Sequence, residues 1–123
     1  ISNECVCITG DGCMLMNGIE IQTAAKYNIK VLFIVINNGS YGAIKNANNN
    51  YPQLSLNEHH YEIKGHDWKL FANSLGLNAI QIHNISELKD AIKIFINESS
   101  PLLLDVRCIY DSDININIYY EAK

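Results

Sequence analysis

The fold is decided by the stretch CVCITGDG at residues 5–12, followed by VLFIVINN at residues 31–38. This spacing is what a strand, a crossover helix and a second parallel strand occupy. Asp11 and Asn38 then lie at the carboxyl ends of neighbouring strands, where open α/β sheets hold their ligands. A carboxylate and an amide oxygen beside a glycine turn suit a magnesium ion that carries a diphosphate.

The composition predicts a single globular domain. The chain has 123 residues, 48% of them hydrophobic, and a net charge of −4. The absence of a lysine and arginine cluster argues against nucleic acid as a partner. No apolar run approaches the roughly 20 residues of a membrane span, and no signal peptide opens the sequence, so we expect a cytoplasmic protein. Because a polar stub at Ile1 runs straight into a strand, we expect residues 1–123 to be one domain of a larger enzyme.

The alternation of apolar strands with amphipathic helices predicts the fold class. We expect an α/β, doubly wound, mainly parallel sheet with helices on both faces, which is a three-layer sandwich. The predicted strands are Cys5–Thr9, Val31–Ile36, Ala79–Ile82 and Leu102–Val106. The predicted helices run from near Met16 to Tyr27, from an Asp67 cap to Gly76, and from a cap at Asn84 or Ser86 through Ile96.

Two segments do not follow this alternation. Residues 39–66 read as a loop with at most one helical turn over 41–46, because they include three consecutive asparagines and Pro52. A loop of that length usually serves a site or an interface. Beyond Asp111 the tail alternates isoleucine and asparagine, and its pattern fits either strand pairing or contact with a partner.

The cysteines and histidines do not form a recognisable metal motif. Cys5 and Cys7 alternate along the first strand, and there is no C-x-x-C pair. The histidines lack zinc-finger spacing, and His59-His60 reads as a solvated pair in the loop. We therefore expect all four cysteines to be small buried residues in a reducing compartment.

The turn Gly10-Asp11-Gly12 carries the sharpest chemical signal. Glycines at a strand end, leading into a helix, present unobstructed backbone N–H groups to phosphate oxygens. Asp11 cannot bind an anion directly, so a cation must lie between them, and Mg²⁺ prefers such oxygen ligands. Asn38 supplies a second oxygen, and a carbonyl in the turn Gly39-Ser40 can supply a third.

Other interpretations of these residues are weaker. Each turn taken alone is an ordinary turn signal. A dinucleotide fingerprint fails because Leu15 stands where its third glycine belongs, and a P-loop fails because Gly-Lys-Ser/Thr is missing. A flavodoxin-like module that binds magnesium or phosphate at Asp11 is the non-catalytic alternative. It is disfavoured because Asp11 lacks an acidic cluster, and no lysine follows a later strand.

The two turns with their flanking residues resemble a known motif. GDGC at 10–13, with Met16-Asn17 and Glu20, and NNGSYG at 37–42 are similar to the thiamine diphosphate motif. The chain resembles the C-terminal, diphosphate-binding domain of the thiamine-diphosphate-dependent 2-oxo acid decarboxylase and acetolactate synthase family. A looser likeness continues through Asp67-Trp68 to the last predicted strand.

The resemblance implies a role for each residue of the motif. Asp11, the Asn38 side chain and the Ser40 backbone carbonyl would bind Mg²⁺. The diphosphate of thiamine diphosphate would lie along the turn that starts at Gly10 and along four further residues. These four are Gly12, Cys13, Tyr41 and Gly42. Because a thiol is a weak donor, a phosphate contact at Cys13 would come from its backbone N–H.

The resemblance also implies what the chain lacks and which substrates it acts on. The glutamate that activates the cofactor belongs to a pyrimidine-binding domain, usually of a second subunit, so no catalytic residue is assigned within this chain. A homodimer or homotetramer acting on a 2-oxo acid is expected. Ile44 marks the substrate pocket, because simple pyruvate decarboxylases carry a glutamate there. The sequence favours an acetolactate synthase-like enzyme, with a benzoylformate decarboxylase-like lyase as the alternative.

Overall fold

Four strands alternate with five α-helices over residues 5–109, the part of the chain that the computed structural model describes. The strands are β1 (Cys5–Gly10), β2 (Val31–Asn37), β3 (Asn78–Ile82) and β4 (Leu102–Arg107). The helices are α1 (Asp11–Asn17), α2 (Ile21–Tyr27), α3 (Gly42–Asn50), α4 (Trp68–Ser74) and α5 (Ile85–Asn97).

All neighbouring strands of the sheet are parallel, in the order β1-β2-β4-β3. The register pairs Gly10 with Ile36, and Asn37 with Arg107. Because parallel strands end at the same edge, the residues that follow β1 and β2 emerge side by side. This edge is where the sequence places both turns.

Each face of the sheet carries its own apolar core. On one face, Val35 and Leu103 pack with Trp68 and with residues of α1, α2 and α4. On the other face, Leu104 packs against Phe95 and the rest of the inner side of α5. Helices therefore cover both faces, and the predicted three-layer α/β arrangement is what the chain adopts.

The predicted helix caps explain where two helices begin. The Asp67 side chain accepts the Leu70 N–H at 2.8 Å at the start of α4. The Asn84 side chain accepts the Glu87 N–H at 3.0 Å at the start of α5. Each satisfies a backbone donor that the first helical turn leaves free. Of the two caps considered for α5, Asn84 is therefore the one used.

The first crossover differs from the single helix expected from near Met16 to Tyr27. The helix starts five residues earlier, at Asp11, and a 3₁₀ turn at Gly18–Glu20 separates α1 from α2. Gly18 is the first residue of this turn, and a Cβ there would lie 3.1 Å from the Met14 Sδ atom. The backbone at Gly18 therefore lies close to the Met14 side chain, where a larger residue would not fit without movement.

The expectation of at most one helical turn over 41–46 is wrong. Nine residues, Gly42–Asn50, form α3. The Asn48 side chain donates to the Leu56 carbonyl and accepts the Leu56 N–H, both at 3.0 Å. This pair of hydrogen bonds ties the end of α3 to the following loop. The low helix propensity of asparagine does not predict a helix here. Two short 3₁₀ turns, Pro52–Leu54 and Glu58–His60, complete the long connection.

The cysteine prediction is also wrong, because all four cysteines are exposed and none is in a disulfide. Cys5 and Cys7 lie on β1, which is an edge strand of the described sheet. An edge strand is covered less than a central one, so its side chains stay accessible even when they are apolar. The tail beyond Asp111, for which two interpretations were left open, lies outside the described residues. Within residues 5–109, no helix has the length and apolarity needed to cross a membrane.

The central strand β4 supports a stability prediction. Leu103 is completely buried, so Leu103→Ala leaves a cavity and should lower the free energy of unfolding by about 2–5 kcal/mol. The matched change Leu70→Ala, at a leucine that is 66% exposed on α4, should cost less than about 1 kcal/mol. Urea unfolding of both variants measures this difference. Equal losses would contradict the placement of Leu103 in the core.

Candidate functional site

The Asp11 carboxylate joins the turn after β1 to the turn after β2. Asp11 is only 3% exposed. Its Oδ1 atom accepts the Gly12 N–H at 2.8 Å, and its Oδ2 atom accepts the Gly39 N–H at 2.7 Å. A carboxylate offers about four acceptor positions, so both oxygens keep further lone pairs for a cation.

The turn after β2 has a built-in shape. Gly39 has a φ of +69°, a left-handed conformation that glycine adopts without steric cost. The Asn38 Oδ1 atom accepts the Ser40 N–H at 3.1 Å, which closes a local turn. The Ser40 carbonyl accepts the Gly42 N–H at 2.9 Å, and a carbonyl oxygen retains a second lone pair.

A segment of the long connection supports this turn from behind. The Tyr61 carbonyl accepts the Ser40 hydroxyl at 3.1 Å and the Tyr41 N–H at 2.7 Å. The Ile63 N–H donates to the Gly39 carbonyl at 2.8 Å. No sequence pattern predicts this support, because the long connection contributes it through backbone groups of an irregular segment. The loop that was expected to serve a site therefore lies against one.

One cavity of about 330 Å³ opens at this edge of the sheet. All nine residues singled out from the sequence line it, which confirms that they lie together while leaving their roles as predictions. Those nine are Gly10, Asp11, Gly12, Cys13, Asn38, Ser40, Tyr41, Gly42 and Ile44. The remaining lining residues are Met16, Ile36 and Ala43, which sequence reasoning did not assign to the site.

The shape of the cavity depends on Gly12. A Cβ at this position would lie 2.5 Å from the Tyr41 Cε1 atom and 3.3 Å from the Ile63 Cδ1 atom. Any side chain at Gly12 would therefore push the Tyr41 ring away from α1. The arrangement offers backbone N–H groups, one buried carboxylate and one amide oxygen at a single opening, which fits a cation that bridges protein oxygens to a phosphate.

The other sequence candidates do not join this site. His59 and His60 are exposed on a 3₁₀ turn, as expected for a solvated pair. Within residues 5–109, no group of three or more histidine, cysteine, aspartate or glutamate side chains is arranged to hold a metal. The cavity therefore relies on one carboxylate, with amide and carbonyl oxygens completing its polar side.

Comparison with known proteins identifies the family of this chain. Residues 2–106 match the family described as "Thiamine pyrophosphate enzyme, C-terminal TPP binding domain". The chain belongs to this family. Thiamine pyrophosphate is thiamine diphosphate, so the expected cofactor is the ligand of this domain family. The family prediction made from the two glycine turns is confirmed.

Several relatives of this thiamine pyrophosphate enzyme domain are named as acetolactate synthases. The chain is 34% identical over 106 residues to a "Probable acetolactate synthase large subunit" of Methanococcus aeolicus, covering 84% of this chain and 17% of that protein. It is 32% identical over 111 residues to an "Acetolactate synthase large subunit" of Cyanidium caldarium, covering 89% of this chain and 18% of that protein. The chain thus spans less than a fifth of either relative.

A solved structure confirms the fold of the domain. The Rhodococcus jostii RHA1 thiamine diphosphate-dependent 4-hydroxybenzoylformate decarboxylase superimposes with a TM-score of 0.82 and 25% sequence identity. The match covers 90% of this chain and 21% of the decarboxylase. The parallel α/β sandwich predicted from the sequence is therefore the thiamine-diphosphate-binding fold.

Gly39 supports a prediction with an internal control. Alanine is strained at positive φ by roughly 1–2 kcal/mol, so Gly39→Ala and Gly76→Ala (φ of +80°) should both destabilise the domain. Only Gly39→Ala also distorts the turn that donates to Asp11, so it alone should weaken thiamine diphosphate binding. Calorimetric titration and thermal unfolding of both variants separate the effects. Equal cofactor affinities would show that the shape of this turn is unimportant for binding.

Proposed function

We propose that residues 1–123 are the C-terminal diphosphate- and magnesium-binding domain of a larger 2-oxo acid decarboxylase or carboligase, most similar to acetolactate synthase. The observation that carries this proposal is the Asp11 carboxylate, which is 3% exposed and reaches Gly39 of the opposite turn at 2.7 Å. A buried carboxylate beside this cavity favours a divalent ion, which can bind the carboxylate and a diphosphate at the same time.

The proposed metal ligands are three oxygens from the two turns. They are the Asp11 carboxylate, the Asn38 side-chain amide and the Ser40 backbone carbonyl. Oxygen ligands of this kind suit Mg²⁺, which keeps phosphate oxygens and water in its remaining positions. Backbone groups at the start of α1 and α3 lie along the same opening and favour the negative charge of the diphosphate. The residues assigned to that contact are Gly10, Gly12, Cys13, Tyr41 and Gly42.

The role of this domain is to hold and orient the cofactor. Bound thiamine diphosphate supplies the carbanion chemistry that makes decarboxylation of a 2-oxo acid possible. The cavity wall around Ile44, which is 41% exposed, offers an apolar surface to substrate. No residue of this chain is assigned to acid or base catalysis, so the fragment alone should be inactive.

The substrate assignment rests on the relatives. Two with over 30% identity carry the name acetolactate synthase, which favours carboligation of 2-oxo acids such as pyruvate. The superimposed decarboxylase acts on a 4-hydroxybenzoylformate, and this supports a benzoylformate-type lyase as the second candidate. Ile44 is compatible with both, since it places no charge in the pocket.

The other half of the cofactor site is proposed to come from a partner. The chain spans 17–18% of the two acetolactate synthases, so most of such an enzyme lies elsewhere. We expect a pyrimidine-binding domain of a second subunit to carry the activating glutamate, within a cytoplasmic homodimer or homotetramer. Neither nucleic acid nor a membrane is expected as a partner.

The activity of the full-length protein tests the proposal. With Mg²⁺ and thiamine diphosphate, pyruvate should yield acetolactate and carbon dioxide. Benzoylformate, supplied in a parallel reaction, should yield benzaldehyde if the lyase alternative holds. Calorimetric titration with thiamine diphosphate in the presence and absence of Mg²⁺ is the binding control. A full-length protein that binds the cofactor equally well without any divalent ion would contradict the metal site.

Substitution of the metal ligands gives the sharpest single test of the site. Asp11→Ala or Asn38→Ala in the full-length enzyme should weaken Mg²⁺-dependent thiamine diphosphate binding by orders of magnitude. Cys13→Ser is the matched control, because it keeps the side-chain size in the same cavity and should change the affinity only mildly. Titration calorimetry measures all three affinities. Normal cofactor binding in both ligand variants would rule the site out.

A further inference from the structure

We propose that Asp105 is a positioning residue that holds the turn carrying Asn38 in its metal-binding orientation, acting through Asn37. The inference rests on the proposed function and adds to it a residue outside the cavity. Asp105 lies within β4 and is completely buried. Asp105 is not among the residues that line the cavity.

The buried carboxylate contacts three side chains, those of Asn37, Arg107 and Gln81, and the Gln81 amide lies 3.3 Å from its Oδ2 atom. Its Oδ1 atom accepts an N–H of the Asn37 side chain at 2.8 Å. Its Oδ2 atom forms an ion pair with the Arg107 guanidinium at 3.0 Å. A buried carboxylate is tolerated when it is paired and hydrogen-bonded, and these contacts supply both.

Asn37 ties the end of β2 to its surroundings through its side-chain nitrogen and its main-chain carbonyl. Its side-chain nitrogen also donates to the His66 carbonyl at 3.1 Å, and its own carbonyl accepts the Cys108 N–H at 3.0 Å. Asn37 is 4% exposed. It is therefore fixed through both its side chain and its main chain, immediately before the chain enters the turn.

Asn38 consequently lies between two residues that buried carboxylates hold in place. Asn37 is held by Asp105 on one side, and Gly39 is held by Asp11 at 2.7 Å on the other. If either anchor is lost, the peptide groups that flank Asn38 can rotate, and its side-chain oxygen is no longer held in one orientation. Removal of a group that orients a metal ligand typically weakens the affinity for the metal by roughly 10- to 100-fold.

Gln81 offers a matched control on the far side of the same network. With its amide oriented so that the oxygen faces Arg107, it accepts from Nη2 at 2.8 Å and from Nε at 3.0 Å. Gln81 is the register partner of Asp105 on β3, and its side-chain amide lies 3.3 Å from Asp105 Oδ2, the oxygen that faces Arg107 and not Asn37. Gln81→Met should thus disturb the network and its stability without moving Asn37.

The experiment measures Mg²⁺ affinity instead of turnover. Mg²⁺ is titrated into the full-length apoprotein at saturating thiamine diphosphate in a calorimeter. For Asp105→Asn, which keeps the side-chain shape but removes its charge, the dissociation constant of Mg²⁺ should rise roughly tenfold. Asn37→Ser, which removes the side-chain nitrogen that donates to Asp105, should give a similar rise. Gln81→Met should stay within about twofold of the wild type.

The possible results test the proposed function and the role of Asp105 separately. If the wild-type protein shows no Mg²⁺-dependent binding, the proposed function fails before the role of Asp105 is in question. If the wild type binds and either Asp105→Asn or Asn37→Ser folds with wild-type Mg²⁺ affinity, the positioning role is overturned. If neither variant folds while Gln81→Met does, the role is also overturned, because the pair would then maintain the fold and not the turn.

Discussion

The site depends on one carboxylate that is shared between two loops. Asp11 is buried at the end of β1, yet one of its hydrogen bonds goes to its own helix and the other to Gly39 after β2. Hydrogen bonds to a charged group stabilise by about 1.5–3 kcal/mol each, more than neutral ones. Because the two donors belong to different turns, these bonds also fix the distance between the turns. The spacing of the polar groups is therefore a property of the parallel sheet and of this one side chain.

The rest of the sheet edge strengthens the same arrangement. Asp105 anchors Asn37 from the neighbouring strand β4, and the Tyr61 carbonyl holds Ser40 and the residue after it from the long connection. The turn is thus fixed from three directions before any ligand arrives. Such preorganisation reduces the ordering that binding would otherwise require. The left-handed Gly39 fits this view, since its conformation is imposed by contacts on both sides.

The sequence predicted those features of the fold in which the local pattern and the tertiary structure agree. The unbroken apolar run of β2 predicted its bounds to within one residue at each end, and the residues flanking two strand ends predicted the cavity. The predictions were wrong at positions whose structure is determined by contacts with residues distant in the sequence. The end of α3 bonds to the distant Leu56 through Asn48, and the exposure of Cys5 follows from the position of β1 at the edge of the described sheet. Apolar lining residues such as Met16 carry no chemical signature that distinguishes them from core residues.

The residues that line the cavity indicate which chemical groups this domain contributes to the site. Among the lining residues, only Asp11, Cys13 and Tyr41 carry groups that can ionise, and the Asp11 carboxylate is already engaged by two backbone donors. The wall around Ile44 is apolar and cannot exchange protons. A cavity of this kind can bind a charged pyrophosphate at its polar end, near Asp11, and an uncharged ring or substrate at its apolar end, near Ile44. The proposed function accordingly assigns no general acid or base to this chain and expects such groups from the pyrimidine-binding domain of a second subunit.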